Sequence, residues 1–221
     1  MHRRHLLHSL AAVAAVPGAA LADVQRIPLT KAFSLLDVYL GLPPAERSRF
    51  YLAYRALRDK RPDPGASATI VVPGGARIPL SLDRAGEVLS LPNLAMLKSA
   101  AVLETADPGL RLGLELRAAI APSTRIDVGA LVLAMAQVNA AVAKIAGPLS
   151  LVAPKLTCAY FPDSGAGSAV LPDGRTAPLP VFPAPLIGPV PYFEPASAAA
   201  VRTVVLARAP SRILLGAHPK T

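Results

Sequence analysis

Residues able to move a proton near neutral pH are scarce in this chain. Of its four histidines, His2, His5 and His8 fall in the first ten residues and only His218 lies further on. A Ser–His–Asp or Cys–His arrangement needs an imidazole held by tertiary structure. His218 is among the last four residues, where chains fray. One cysteine, Cys158, and one histidine sixty positions away cannot supply the three or four ligands of a zinc site. No metal is expected. Ser164-Gly165-Ala166-Gly167-Ser168 is neither G-x-S-x-G nor a phosphate loop with its lysine, so it reads as a turn. No cofactor is expected either, and no catalytic residue is assigned.

Two carboxyl groups would suffice for glycoside hydrolysis. Asp63, Asp83, Asp107, Asp163 and Asp173 all sit in turn-like sequence, where aspartate is a common structural residue. Glu115 stands between Arg111 and Arg117 on one side of an alternating run, which reads as a charge ladder. A pair of carboxyls within about 10 Å of each other in the main cleft would favour an envelope hydrolase relying on carboxylates or lysine. A cleft that is apolar or lined only by arginine would favour binding.

Arg49, Tyr51 and Arg55 are the candidate ligand-binding residues. On a strand they project from one face, and arginine beside an aromatic ring can grip a carboxylate or phosphate while the ring stacks. The competing reading is a solvated strand face of snorkelling arginines. Cys158, placed with Leu156 and Tyr160, reads as an inert buried thiol.

The elements that position these residues begin after residue 22. Residues 1–22 have the form of a cleavable signal peptide: Arg3-Arg4, an apolar run, then Ala20-Leu21-Ala22 before Asp23. Arg3-Arg4 also suits a twin-arginine signal, although an ordinary secretory signal explains it equally well. The expected location is the periplasm or the exterior. Residues 23–221 then form a single globular domain with 21 basic and 14 acidic residues. Scattered positive charge on an exported chain argues against nucleic acid. It suits an anionic envelope component, a lipid headgroup or an acidic glycan, or a protein partner. One cysteine leaves no intrachain disulfide framework, so apolar burial must hold the fold.

Asp127 to Ala146 is the central element. Val128, Leu131, Met135, Val138, Val142 and Ile145 make one apolar helical stripe. Asp127 can cap the helix, and Gly147-Pro148 can stop it. A membrane span is the rival reading, interrupted by Gln137, Asn139 and Lys144, so no span is expected after the leader. Leu110 to Ile120 alternates apolar and polar residues as a strand. A helix is expected over Lys31 to Leu40 with Thr30 as cap. Residues 46–58 suit either helix or strand, and the aromatics favour strand. Short hairpins follow over 69–91, with Pro79 marking an edge strand and Asn93 capping a helical turn. Val102 to Thr105 and the Leu110 strand would make another hairpin. Leu149 to Phe161 reads as a strand. Seven prolines between Pro178 and Pro195 suggest a Pro-rich extended loop rather than a central strand. Val71 to Leu80 and Val170 to Leu179 echo each other, as remnants of a duplication or as convergent hairpin chemistry.

The fold class expected is α+β: a mainly antiparallel β-sheet or sandwich of short hairpins, with one long apolar helix (about 127–146) packed on it. The expected function is an exported, non-catalytic binding or scaffold module. A subunit of a larger complex is a further possibility, favoured by an uncovered back on the long helix.

Overall fold

The computed structural model describes residues 24–146, 155–184, 188–197 and 200–219. The expected leader (residues 1–22), the expected helix stop and residues 149–154 of the expected strand therefore lie outside the described residues. The first half runs β1 (Gln25–Pro28), α1 (Leu29–Ala32), α2 (Leu36–Gly41), β2 (Phe50–Arg58), β3 (Arg61–Pro62), β4 (Thr69–Val71), β5 (Arg77–Pro79), α3 (Leu94–Lys98), β6 (Val102–Thr105) and β7 (Arg111–Ala118). The second runs β8 (Arg125–Asp127), α4 (Val128–Ala146), β9 (Cys158–Tyr160), β10 (Gly167–Val170), β11 (Thr176–Pro178), β12 (Val181–Ala184), β13 (Gly188–Phe193), β14 (Thr203–Leu206) and β15 (Leu214–Gly216). The architecture is α+β and β-rich, with antiparallel pairing and one long helix.

The two halves repeat one plan. Two four-stranded sheets have the orders β1-β6-β4-β5 and β8-β14-β10-β11, and their registers correspond. Ile27 faces Leu103, which faces Ile70; Ile126 faces Val204, which faces Ala169. Leu29 N bonds Ala101 O at 3.1 Å, and Val128 N bonds Arg202 O at 3.0 Å. Each hairpin turn closes alike, Gly75 N on Val72 O and Gly174 N on Leu171 O, both at 3.0 Å. Gly75 and Gly174 have φ of +92° and +82°, a region that costs a side chain energy. The echo read from the sequence is thus part of a structural repeat. A curled seven-stranded sheet, β12-β13-β9-β15-β7-β2-β3, joins the halves where Leu214 of β15 pairs with Arg117 of β7.

The long helix forms where its spacing places it. Asp127 Oδ1 accepts from Gly129 N at 3.0 Å, a capping bond. Val128, Leu131, Ala134, Met135, Val138 and Ala141 are buried against Phe50, Ala159, Phe161, Phe193, Val204 and Leu215. Each large aliphatic side chain so buried stabilises the fold by about 1.5–3 kcal/mol. The dry stripe is rotated from the expected one, because Ala134 and Ala141 face inward while Ile145 is exposed. The reverse side is covered in part: Gln137 Nε2 bonds Ala45 O at 2.7 Å, and Lys144 pairs with Glu46 at 2.8 Å. A second core lies under the other half, around Phe33, Tyr54, Leu97 and Leu103.

Several local expectations change. The helix at 31–40 is two short pieces, because Leu35 adopts a left-handed φ of +67°, and Pro28 rather than Thr30 is the cap of the first. Residues 50–58 are a strand, preceded by a 3-10 turn over Pro44–Arg47. β6 and β7 do not pair: β6 joins β1 and β4, and β7 joins β2 and β15. The turn at Asp107–Gly109 carries the chain from one sheet into another. Asn93 caps α3, accepting from Met96 N at 2.9 Å, and β5 is an edge strand.

The Pro-rich segment is corrected most. It contains β12 and β13, which pair Val181 with Pro191 and Pro183 with Pro189. The physical reason is position. β12 is an edge strand, so its one proline, Pro183, needs no partner on the outer side. Pro191 lacks a donor, yet its carbonyl still accepts from Phe161 N at 2.9 Å.

Candidate functional site

β2 and β7 pair from Phe50↔Ala118 to Leu57↔Arg111. Alternation sends Leu52, Tyr54 and Ala56 inward together with Leu112, Leu114 and Leu116. Tyr51, Ala53 and Arg55 go to the opposite face, directly across from Arg117, Glu115 and Gly113. Gly113 leaves room there for Leu57, whose Cδ1 would lie 2.6 Å from an added Cβ and would have to turn aside. Directly opposed residues share a face, so the pairings continue one row across five strands: Tyr51, Arg117, Leu214, Tyr160, Tyr192. One end of this row is cationic and the other aromatic.

The cationic end is a network of five side chains. Arg117 grips Glu87 with two parallel bonds, Nη1–Oε1 at 2.9 Å and Nη2–Oε2 at 2.8 Å, and also bonds Glu115 at 2.5 Å. Arg55 donates to Ala85 O at 2.6 Å and to Glu115 Oε1 at 3.4 Å, with Glu87 3.9 Å away. Arg212 Nε lies 3.1 Å from Glu115 Oε2, in charge contact but without hydrogen-bond geometry. Three guanidiniums against two carboxylates leave one positive charge uncancelled. Burial alone would raise the Glu115 carboxyl, yet Arg212, Arg117 and Arg55 together hold it below the usual carboxylate range. Burial opposes the charge of Arg117, and its bonds to Glu87 and Glu115 win, raising it further.

The aromatic end gathers Tyr160, Phe182, Tyr192 and His218. Ring centroids lie 6.2 Å apart for Tyr160–Phe182, 5.6 Å for Tyr160–Tyr192 and 5.9 Å for Tyr192–His218. Tyr160 donates to Ala217 O at 2.5 Å, and burial, then Cys158, Tyr192 and Glu194, push its phenol up to about 12. It therefore stays a neutral donor. Cys158 is fully buried and its thiol is also raised, by burial first, which removes the thiolate that reactivity needs.

Between the two ends, beside the junction of the halves, lies a trough of about 370 Å³. Leu114, Glu115 and Leu116 form one wall, Leu214 to Gly216 another, and Tyr160, Phe182, Ala184 and Val190 close it. A larger groove of about 780 Å³ runs beside α4 past Val132, Leu133, Asn139 and Leu156. It holds Lys155 and Arg202, with no clustered ion pairs among the described residues.

Of the residues expected to bind, the structure places Tyr51 and Arg55 on one face, and Tyr51 is 40% exposed. Arg55 is not a solvated side chain; it is 8% exposed and committed to the network. Arg49 stands outside β2, exposed, with its backbone N bonded to Gln137 Oε1 at 2.7 Å. Sequence reasoning missed Glu87, Arg117, Arg212, Tyr160, Tyr192 and Leu214. The parity of Glu115 and Arg117 on their strand is the available signal, and by itself it reads as a charge ladder.

Among the described residues, no group of three or more His, Cys, Asp and Glu side chains is placed to hold a metal ion. Comparison with known proteins finds no matching family model, no similar curated protein and no matching solved structure.

Proposed function

We propose that this chain is an exported envelope protein that binds an anionic component without catalysis, through the arginine-rich face of the seven-stranded sheet. The observation that carries the reading is the excess guanidinium of the Arg55–Glu87–Glu115–Arg117–Arg212 network beside a mainly apolar trough. Apolar walls with a few converging polar groups are the usual build of a ligand site. Arg212 is the least committed of the three guanidiniums: its Nε meets Glu115 without hydrogen-bond alignment, and its Nη1 donates only to the neighbouring Ser211 Oγ, at 3.0 Å.

Glu87 and Glu115 come close enough to share one nitrogen of Arg117, but only Glu115 lines the trough, so the pair does not flank a cleft as a hydrolase's carboxyls would. The chemistry is also unfavourable. A general acid must keep its proton at working pH, and Glu115 is held in its charged form.

The test is calorimetric titration of the mature chain with inorganic phosphate, an acidic oligosaccharide and anionic-lipid vesicles. Binding of at least one is expected, weakened by salt and by roughly tenfold or more in Arg212→Gln, the worth of a charged hydrogen bond. Binding by none, or equal binding by a folded Arg212→Gln, contradicts the reading.

A second reading has its own observation. α4 leaves Val132 and Leu133 at 45% and 49% exposure, and the span Val128–Ile145 is long and apolar enough to cross a membrane by length and composition. An uncovered apolar helix face favours a subunit of a larger assembly. Sedimentation of the wild type and Leu133→Asp tests it; a monomer in both, with no co-purifying partner, removes it.

A further inference from the structure

We infer that the trough between β7 and β15 holds the alkyl chain of a single-chain amphiphile, whose carboxylate or phosphate head lies at Arg212. The inference rests on the anionic-ligand reading and narrows the ligand to a class. An anion alone would need only the guanidiniums. The cluster does not stand alone, because the wall continuing from it along the row is Leu214 and then the ring of Tyr160. Val190 and Phe182 extend that wall, and among the described residues Glu115 is the one charged residue lining the trough. Its carboxylate is already paired with Arg212, Arg117 and Arg55, so the network's excess positive charge lies in the guanidiniums behind that edge of the trough. The site is therefore polar at one end and greasy along its length, which is the chemistry of a fatty acid or an alkyl phosphate.

The trough has room for a chain and is shaped for it. About 370 Å³ falls within the usual range for small-molecule sites. Gly216 keeps its floor open to the Tyr160 ring, whose Cε2 lies 2.9 Å from where a Cβ would stand. Tyr160 is pinned by its bond to Ala217 O and Val190 is buried, so these walls are set before a ligand arrives. A preformed wall lowers the ordering cost of binding.

The experiment is calorimetry of the mature chain with saturated alkyl carboxylates and alkyl phosphates, from two to about sixteen carbons, each below its micelle concentration. Affinity is expected to rise about fourfold per methylene, the worth of one buried CH2, and to level off once the trough is full. The two series distinguish the head group. Ala184→Trp, which fills the trough from its rim, should flatten the dependence on chain length while the response to inorganic phosphate stays. Phe182→Ala, which widens the trough, should move the plateau to longer chains. A flat series alongside salt-sensitive phosphate binding overturns the trough inference and leaves the anionic reading standing. A rise that persists in Ala184→Trp and disappears in Leu133→Asp also overturns it, placing the chain in the groove beside α4. No response to either series, phosphate or anionic vesicles overturns both.

Discussion

Arg117 shows how a charged residue comes to lie in the interior of this protein. It is 5% exposed and bonded to two carboxylates, an arrangement whose net stabilisation is small but whose rupture is costly. Removing Glu115 leaves three guanidiniums facing Glu87 alone. Glu115→Gln should therefore lower the free energy of unfolding at pH 7 by roughly 3–5 kcal/mol, read from urea denaturation. The pH dependence has a definite sign. The folded carboxyl lies below its unfolded value of about 4.3, so its contribution is present above that value and lost as pH falls through the folded one. Acidification should narrow the gap between wild type and variant; a gap that does not begin to narrow as pH falls below the unfolded value of about 4.3 would show that Glu115 acts by packing. Little of this was legible beforehand. Arg55 reads as a solvated strand residue because its partners, Glu115 at sixty positions and Ala85 at thirty, are distant in sequence. Alternation tells which residues share a face, and it does not tell whether water or another strand covers that face.

At the scale of elements, periodicity carried α4 and the pairing of strands carried the rest. The spacing of Val128, Leu131, Met135 and Val138 is set by one helix's own geometry, so it could be read without knowing its neighbours. Leu131→Ala should cost about 2–5 kcal/mol, whereas Leu133→Ala, on the exposed face, should stay within about 0.5 kcal/mol; thermal unfolding of both variants checks the orientation. The turns carry a second prediction. Gly174 must hold a φ of +82°, so Gly174→Ala should cost about 1 kcal/mol, while Gly41→Ala, which meets nothing within 4 Å and has an ordinary φ, should not. Strand pairing was harder. β6 and β7 are neighbours in sequence and were expected to pair, yet a turn at Asp107 parts them between sheets. The Pro-rich strands escape the sequence because β12 is an edge strand, and β13 pairs with β9 through Tyr192 and Phe193, so that Pro191 need only accept, from Phe161 N.

The whole molecule is two similar halves joined through one sheet, and the candidate site lies at that joint. Its position follows from the repeat: Leu214 and Arg117 come from opposite halves and meet where β15 pairs with β7. Neither half alone carries both the cationic and the aromatic ends. The sequence echo between Val71–Leu80 and Val170–Leu179 hinted at the repeat, but the joint itself depends on residues outside the echo. The proposed export is tested on the whole chain as well. Amino-terminal sequencing of the protein recovered from periplasmic extract should begin at Asp23; material beginning at Met1 and retained in the cytoplasm would contradict the envelope reading. The claim on which the rest depends is that the sheet face around Arg212, Glu115 and Tyr160 takes up an anion. Amide-resolved NMR titration of residues 23–221 with dodecyl phosphate tests it most directly. Saturable shifts centred on Glu115, Tyr160, Arg212 and Leu214, reduced by salt, are expected; shifts confined to Val132 and Leu133, or none at all, would contradict it.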